Sequence, residues 1–313
     1  MRTARLPASG MEPIGPDRRR ATMSKIRLSL AIVSLTLLSA ACTASGGPPT
    51  AAAPSASPPP AGVDHPTGPT DVVLRLEEGG GFVPIEFVAT QAPTFTLYGD
   101  GRVIFQQAVG TFPEPGPDGL IRGNPWRIAQ LDGGQIEELL TFALGPGGLG
   151  AARENYGNDM VADASTSTFT IDAGGVTKTV AVYALGMEGE PDAQARKAFQ
   201  VLADRLRDFD SGGAISSDVY TPSGYRGVLI EREGDANANV VEWPWPDLTI
   251  TDFTVDVNAP GAFQFPNRAM TADEVAALDL GDVAGGVQGL VIDGPDGKSY
   301  SFILRPLLPD ESA

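Results

Sequence analysis

The chain has 313 residues and is strongly acidic: 39 Asp and Glu residues outnumber 22 Lys and Arg residues, giving a formal net charge of −17. A surface of this charge repels nucleic-acid phosphates and anionic lipid headgroups, so we expect no nucleic acid among the partners. The chain has one histidine, His65, and one cysteine, Cys42, which argues against Ser-His-Asp and Cys-His nucleophiles and leads us to expect neither metal nor cofactor.

The first element is a short apolar run, residues 28–38, which follows the basic residues Lys25 and Arg27. Its 11 residues are too few for a helix that crosses the hydrocarbon core, which needs roughly 20 apolar residues. A basic flank, a short apolar stretch and small residues at its end are typical of an export signal. We predict a signal peptide over residues 1–41, with Met23 as the expected true start.

The sequence LLSAAC, residues 37–42, resembles the lipobox of bacterial lipoproteins, in which small residues precede a cysteine that receives a diacylglycerol before cleavage. The resemblance implies that Cys42 becomes the acylated first residue, and that four residues before it are read as the signal: Leu38, Ser39, Ala40 and Ala41. Ser39 departs from the pattern, since leucine is commonest there. Two acyl chains, such as palmitate, anchor a protein stably. We expect attachment to membrane lipid at the extracytoplasmic face of the cell membrane.

The segment after Cys42 is rich in proline, with 8 prolines in the 28 positions of residues 43–70 and almost no apolar side chain larger than alanine. Such a composition cannot build a core, so we predict a disordered tether over residues 42–70 that includes His65. A proline-rich ligand for another protein is the alternative. Cleavage before Cys42 leaves 15 basic against 37 acidic residues, a net charge of −22, and makes the lipid anchor necessary for residence at the membrane.

Short apolar runs separated by Gly, Pro and Asp begin at residue 71 and predict antiparallel strands. The first strand, DVVLRLEE, has three apolar residues on one face: Val72, Leu74 and Leu76. Three hairpins follow, over residues 95–105 with a turn at 99–101, over 167–185 with a turn at 173–175, and over 289–306. In the third hairpin, alternation places Leu290 and Ile292 opposite Tyr300, Phe302 and Leu304.

Helices are fewer. Residues 191–208 predict an amphipathic helix that begins at Pro191, with an apolar stripe of Ala195, Ala198, Phe199, Leu202 and Leu206. The opposite side is expected to be solvated and carries Arg196, Lys197, Asp204 and Arg207. We therefore predict an α+β fold of mainly antiparallel sheet with a few helices.

Two further helix starts share one pattern. Asp132 with Gln135, and Thr271 with Glu274, each form a capping box, and each is followed by a glycine-rich break and a hairpin. The pattern suggests two related subdomains: an α+β domain over residues 71–212 that ends in the long helix, and a second α+β subdomain over residues 213–313. Chance similarity of common capping patterns is the alternative.

Three stretches are candidates for binding. Trp243 and Trp245 lie on one face if extended and form a candidate ligand or partner contact; filling of the core is the alternative. Residues 154–163, ENYGNDMVAD, have oxygen ligands that suit calcium, or form a polar connection. Residues 74–87 and 97–103 are similar to the start of emfourin-type metalloprotease inhibitors, in which a Gly-Gly-Phe turn, here residues 79–82, follows a strand; a simple strand-ending turn is the alternative.

The leading functional hypothesis is a membrane-anchored exported lipoprotein that is a non-enzymatic binding or scaffolding module of the cell envelope, with an envelope protein or a glycan as partner. The folded part also resembles surface lipoproteins of high-GC Gram-positive bacteria. The alternatives are a carboxylate-based hydrolase of envelope polysaccharide, because paired acids alone can hydrolyse glycosides, and an emfourin-like inhibitor. No catalytic residue is identified.

Overall fold

The computed structural model describes residues 62–108, 111, 113–187, 191–232, 240–255 and 265–311, all of which belong to one compact unit. Fourteen strands and four α-helices in this part, with mainly antiparallel pairing, confirm the predicted α+β class. None of the helices found in these ranges has the length and apolar character needed to cross a membrane.

In chain order, the strands are β1 (Val72–Gly80), β2 (Phe95–Tyr98), β3 (Arg102–Phe105), β4 (Ile121–Arg122), β5 (Arg127–Gln130), β6 (Asn155–Tyr156), β7 (Ser165–Ala173), β8 (Val176–Tyr183), β9 (Asp218–Val219), β10 (Tyr225–Arg232), β11 (Val240–Glu242), β12 (Asn267–Met270), β13 (Val287–Asp293) and β14 (Ser299–Pro306). The helices are α1 (Ile85–Ala89), α2 (Gly133–Leu144), α3 (Ala193–Arg207) and α4 (Ala272–Ala276), and single 3₁₀ turns occupy Leu149–Ala151, Ile250–Asp252 and Pro309–Glu311.

The first sheet has eight strands in the order β6-β8-β7-β1-β2-β3-β5-β9. Its two predicted hairpins are present, since Phe95 pairs with Phe105 and Ala173 pairs with Val176. The second hairpin turns through Gly174 and Gly175, both at positive φ, where glycine lacks the steric penalty of other residues. Strand β1 lies in the middle of this sheet, antiparallel to β2 and β7.

Helices α2 and α3 pack on this sheet, and its core includes Leu139 and Leu140 of α2 and three members of the predicted α3 stripe, Phe199, Leu202 and Leu206. Asp132 caps α2, because its side chain accepts a hydrogen bond from the Gln135 backbone N–H at 2.9 Å while the Gln135 side chain accepts from the Asp132 N–H, as predicted. Helix α3 begins at Ala193, after Asp192 at φ 57°, so Pro191 precedes the helix instead of opening it.

The prediction that Arg196 lies on the solvated side of α3 is wrong. Its side chain is fully buried, and its guanidinium donates to the carbonyl oxygens of Tyr183 at 2.8 Å and Gly157 at 2.7 Å. It also donates to the Tyr156 carbonyl at 3.1 Å. Arg196 lies one turn before Phe199, next to the apolar stripe, and these carbonyl oxygens require donors once they are buried. Sequence periodicity has no information about those oxygens.

The second sheet has the strand order β11-β13-β14-β10-β12, and β4 pairs with β13. The predicted third hairpin is β13 with β14, in which Leu290 pairs with Phe302 and Ile292 with Tyr300. The capping box of Thr271 and Glu274 opens α4, as predicted, although this helix has 5 residues where α2 has 12.

The chain passes between the two sheets in both directions. Strand β4 belongs to the N-terminal half but pairs with β13, whereas β9 follows α3 and pairs with β5. A third apolar cluster, with Tyr98, Trp126, Tyr220 and Leu308 among its buried residues, combines side chains from both halves. The assignment of residues 71–212 and 213–313 to related subdomains stays a prediction.

The C-terminal turn adds ionic contacts to this junction. The Asp310 carboxylate accepts from Arg75 of β1 at 2.7 and 2.8 Å and from the Tyr98 hydroxyl at 2.7 Å. The Glu311 carboxylate accepts from both terminal nitrogens of Arg305 of β14 at 2.7 Å each. We call these five residues the C-terminal clasp. Adjacent residues of one turn thus bind the two sheets.

Residues 62–70, the last part of the predicted tether, contact the domain. Val63 packs against the core of the first sheet, the Asp64 carbonyl accepts from the Gly174 N–H at 2.7 Å, and the Pro69 carbonyl accepts from Arg102 at 2.7 Å. His65 bonds the Pro66 carbonyl at 2.7 Å. The folded part therefore includes these nine residues, and the prediction that they are disordered is wrong. The contacts of Val63 and of the backbone carbonyls depend on distant residues, so composition could not indicate them.

Candidate functional site

A cavity of about 420 Å³ lies between the two sheets. Its size falls within the range of small-molecule sites, roughly 300–1,000 Å³. The residues around it come from the end of β1, the segment before β2, the chain after β3, the region of β4, and the paired strands β13 and β14. The cavity therefore exists because two separately built sheets meet there, and no single segment outlines it.

One wall of the cavity is the α1 segment, residues 81–91. Gly80 and Gly81, both at positive φ, turn the chain out of β1, and the Phe82 N–H donates to the Asp163 carbonyl at 3.3 Å. At the other end the Gln288 amide donates to the Thr90 hydroxyl at 2.9 Å, which links the segment to β13. Its outer surface is apolar, because Phe82 is 94% exposed and Val83 and Ile85 are more than 40% exposed.

Two of the described side chains on the cavity wall are charged, Glu78 and Arg305, and each has an internal partner. Both oxygens of Glu78 accept from Arg207, and one also accepts from the Ser167 hydroxyl at 3.1 Å. Arg305 pairs with Glu311 as described above. The hydrogen bond from Arg207 to Glu78 raises the pKa of Arg207 above its ordinary value. Burial alone would raise the pKa of Glu311, but the hydrogen bonds from Arg305 hold it below its ordinary value.

This arrangement does not suit acid-base hydrolysis. A glycosidase needs two carboxyl groups about 5 to 10 Å apart, one of them free to move a proton. Among the described residues that line the cavity, Glu78 is the single carboxylate, and its oxygens are occupied by Arg207 and Ser167. The described residues therefore give the wall no free acid or base.

The described polar side chains of the wall include five carboxamides, none of which belongs to a sequence motif: Gln91, Gln106, Gln107, Asn124 and Gln288. The Gln106 amide nitrogen donates to the carbonyl oxygens of Ala92 and Pro93 at 3.4 and 3.1 Å, and the Gln107 amide donates to Asp210 at 2.8 Å. Together with Gln288, these residues come from two distant segments. These glutamines follow no sequence pattern, and only the tertiary contacts identify them as neighbours.

The two tryptophans predicted as a ligand or partner contact, Trp243 and Trp245, pack in or against the core of the second sheet. Trp245 is 4% exposed, and its indole N–H donates to the Glu274 carbonyl at 2.7 Å; the Trp243 indole donates to the Leu248 carbonyl at 2.9 Å. The two rings meet edge to face, with centroids 4.9 Å apart, and both pack near Phe253. These positions favour the alternative interpretation, in which the indoles fill the core of the second sheet.

The remaining predicted sites divide into two groups. Cys42 and the signal residues Leu38, Ser39, Ala40 and Ala41 lie outside the described residues. Within residues 154–163, the Asn158 side chain accepts from the Met160 backbone N–H at 3.1 Å, as in a polar turn. Within the described ranges, no group of three or more His, Cys, Asp or Glu side chains is placed to hold a metal ion.

No protein-family model, curated protein or solved structure matches this chain.

Proposed function

We propose that this protein is an exported lipoprotein, held on the membrane by acylated Cys42, whose folded part binds a ligand in the cavity between its two sheets without transforming it. The observation that carries the proposal is the charge balance of the wall, where Glu78 and Arg305 are each neutralised by an internal partner. A wall of this kind offers a shaped surface and hydrogen bonds, and none of its described side chains is a free acid or base for proton transfer.

The anchor is tested by fractionation. Wild type is expected to remain with the membrane at high salt, whereas Cys42→Ala is expected to appear in the soluble fraction, because a net charge of −22 gives no attraction to an anionic surface. Retention of Cys42→Ala on the membrane at high salt would refute the lipid anchor.

The binding site is tested with protein isolated from the membranes of the cells that naturally produce it, so that a bound ligand is isolated with it. Molecules released on denaturation are identified by mass spectrometry and compared with those released from Asn124→Trp, which places an indole at the exposed edge of the cavity wall. Asn155→Trp is the matched control, since Asn155 is also exposed but lies on the edge strand β6, outside the cavity wall. A molecule retained by wild type and by the control but lost from Asn124→Trp supports the proposal. Identical profiles for all three proteins refute it.

A second candidate function rests on the α1 segment. Phe82, which follows the glycine turn that resembles emfourin-type inhibitors, is 94% exposed beside the exposed Val83 and Ile85. Exposed apolar side chains on a loop are typical of protein-contact surfaces. An inhibitor would slow a thermolysin-like protease at micromolar concentration, and Phe82→Ala would weaken that inhibition. Absence of inhibition by the wild-type chain excludes this function.

A further inference from the structure

The hydrogen bonds of the cavity wall define what kind of ligand it accepts. The partners of Gln106 and Gln107 determine which way each carboxamide points. Gln106 faces the carbonyl oxygens of Ala92 and Pro93, and Gln107 faces the Asp210 carboxylate. Because these oxygens can only accept, the amide nitrogen of each glutamine must face them. The Thr90 hydroxyl donates to the Glu86 carbonyl at 3.1 Å or the Phe87 carbonyl at 3.2 Å, and therefore accepts from Gln288.

In each of these glutamines the amide nitrogen has an internal acceptor and the carbonyl oxygen is left over; Gln107 and Gln288 also keep a second N–H, because a carboxamide nitrogen carries two hydrogens. No donor among the described residues bonds the Oε1 atom of Gln106, Gln107 or Gln288. A ligand that buries these oxygens must supply hydrogen-bond donors to them, since a buried acceptor without a partner costs about 1–3 kcal/mol.

The ligand must also be uncharged. Glu78 and Arg305 are already paired, so a charged ligand would find no counter-charge on the described wall and would lose its hydration without compensation. The wall also has apolar side chains, among them Phe87, Ile121 and Val287. A suitable ligand is therefore neutral, with donors at its edge and C–H groups on its faces.

We propose that the cavity binds the sugar rings of a neutral oligosaccharide, an inference that rests on the proposed binding function. Sugar hydroxyls donate to the three glutamine oxygens, and the ring faces lie against the apolar wall. An extended peptide fits less well, because its backbone offers one N–H donor per residue, whereas each sugar ring offers several hydroxyl donors to the three glutamine oxygens. The exposed amides of Gln91 and Asn124 are available to hydroxyls that also accept.

The test uses the full acylated chain in detergent, titrated by calorimetry with maltotriose, mannotriose and tri-N-acetylglucosamine. Comparison ligands are trigalacturonate, spermidine and a proline-rich decapeptide. We expect saturable binding of at least one neutral trisaccharide and no comparable binding of the comparison ligands.

Gln106→Met and Gln288→Met are each expected to weaken that binding, and the double variant by about tenfold. Gln130→Met is the matched control: its amide donates to the Asp100 carbonyl at 2.9 Å, the same kind of bond, but Gln130 does not line the cavity. If the glutamine variants fail to fold, Asn124→Trp provides an exposed substitution that is expected to abolish binding by steric block.

The outcomes separate the two proposals. Preference for trigalacturonate, spermidine or the peptide, or unchanged sugar affinity in the folded glutamine variants, overturns the neutral-glycan inference. If no sugar binds but a different molecule is lost from Asn124→Trp in the isolation experiment, the inference is wrong and the binding function stands. If that isolation experiment also shows no cavity-dependent molecule, both proposals fail.

Discussion

Replacing Glu311 with glutamine tests the C-terminal clasp. In the wild type, Glu311 accepts two hydrogen bonds from Arg305 at 2.7 Å each and one from the Leu308 N–H at 3.0 Å. The side chains of Arg305 and Glu311 are 10% and 20% exposed, so Glu311→Gln leaves a mostly buried guanidinium without its counter-charge. Breaking a fully buried pair costs about 3–5 kcal/mol, and the residual exposure here reduces the expected loss of unfolding free energy to about 2–3 kcal/mol.

The same variant changes the pH dependence of stability. Because the pKa of Glu311 is below its ordinary value in the folded state, its contribution is present above the ordinary glutamate pKa of about 4.3 and is lost as pH falls through the folded value. Burial raises the pKa of the neighbouring Glu77, which changes stability in the opposite direction and offsets part of the effect. The stability difference between wild type and Glu311→Gln is therefore expected to shrink as pH falls below about 4.3.

The assay is urea unfolding of the full chain in detergent, followed by tryptophan fluorescence at several pH values from neutral to 3. Glu242→Gln, at an exposed position of β11, is the charge-matched control and is expected to change stability by less than about 0.5 kcal/mol. A loss at neutral pH no greater than that of the control, or a difference that does not depend on pH, would show that the clasp does not join the sheets as described.

Two further substitutions are expected to destabilise the fold in the same assay. Arg196→Leu removes the donors of three buried carbonyl oxygens and should cost about 2–4 kcal/mol, whereas Arg205→Leu, on the exposed side of α3, should cost less than about 1 kcal/mol; equal losses would contradict the burial of Arg196. Trp245→Phe should cost about 1–3 kcal/mol, because the Glu274 carbonyl loses its indole donor, and a neutral result would place this side chain outside the core.

Local chemistry made much of the fold predictable. Asp132 and Thr271 start helices because a side-chain oxygen within three residues of an unpaired N–H needs no tertiary partner. Gly174 and Gly175 turn a hairpin because they tolerate positive φ, and the alternation around Leu290 fixes which residues face Phe302. Each of these features depends on neighbours a few residues away.

The site could not be predicted in this way. The cavity requires that the segment after β1 meets β13, nearly 200 residues later in the chain. The sequence around Thr90 or Gln288 does not predict the hydrogen bond between them. The capacity of Gln106 to accept from a ligand depends on which carbonyl oxygens engage its nitrogen. Carboxamides are common surface residues, so composition does not distinguish these from others.

The sequence by itself determined the α+β class, the hairpins, the helix caps and the prediction of a lipid-anchored, exported chain, because periodicity, capping and signal patterns are local properties. Tertiary structure decided which polar groups are buried and with what. In the folded protein Arg196 lies in the core, although it was expected on the solvated face of its helix. Glu311 pairs with Arg305 at the junction, and a cavity lies between the sheets. Burial and charge pairing depend on residues that are distant in sequence, and they are the physical properties that define the proposed binding site.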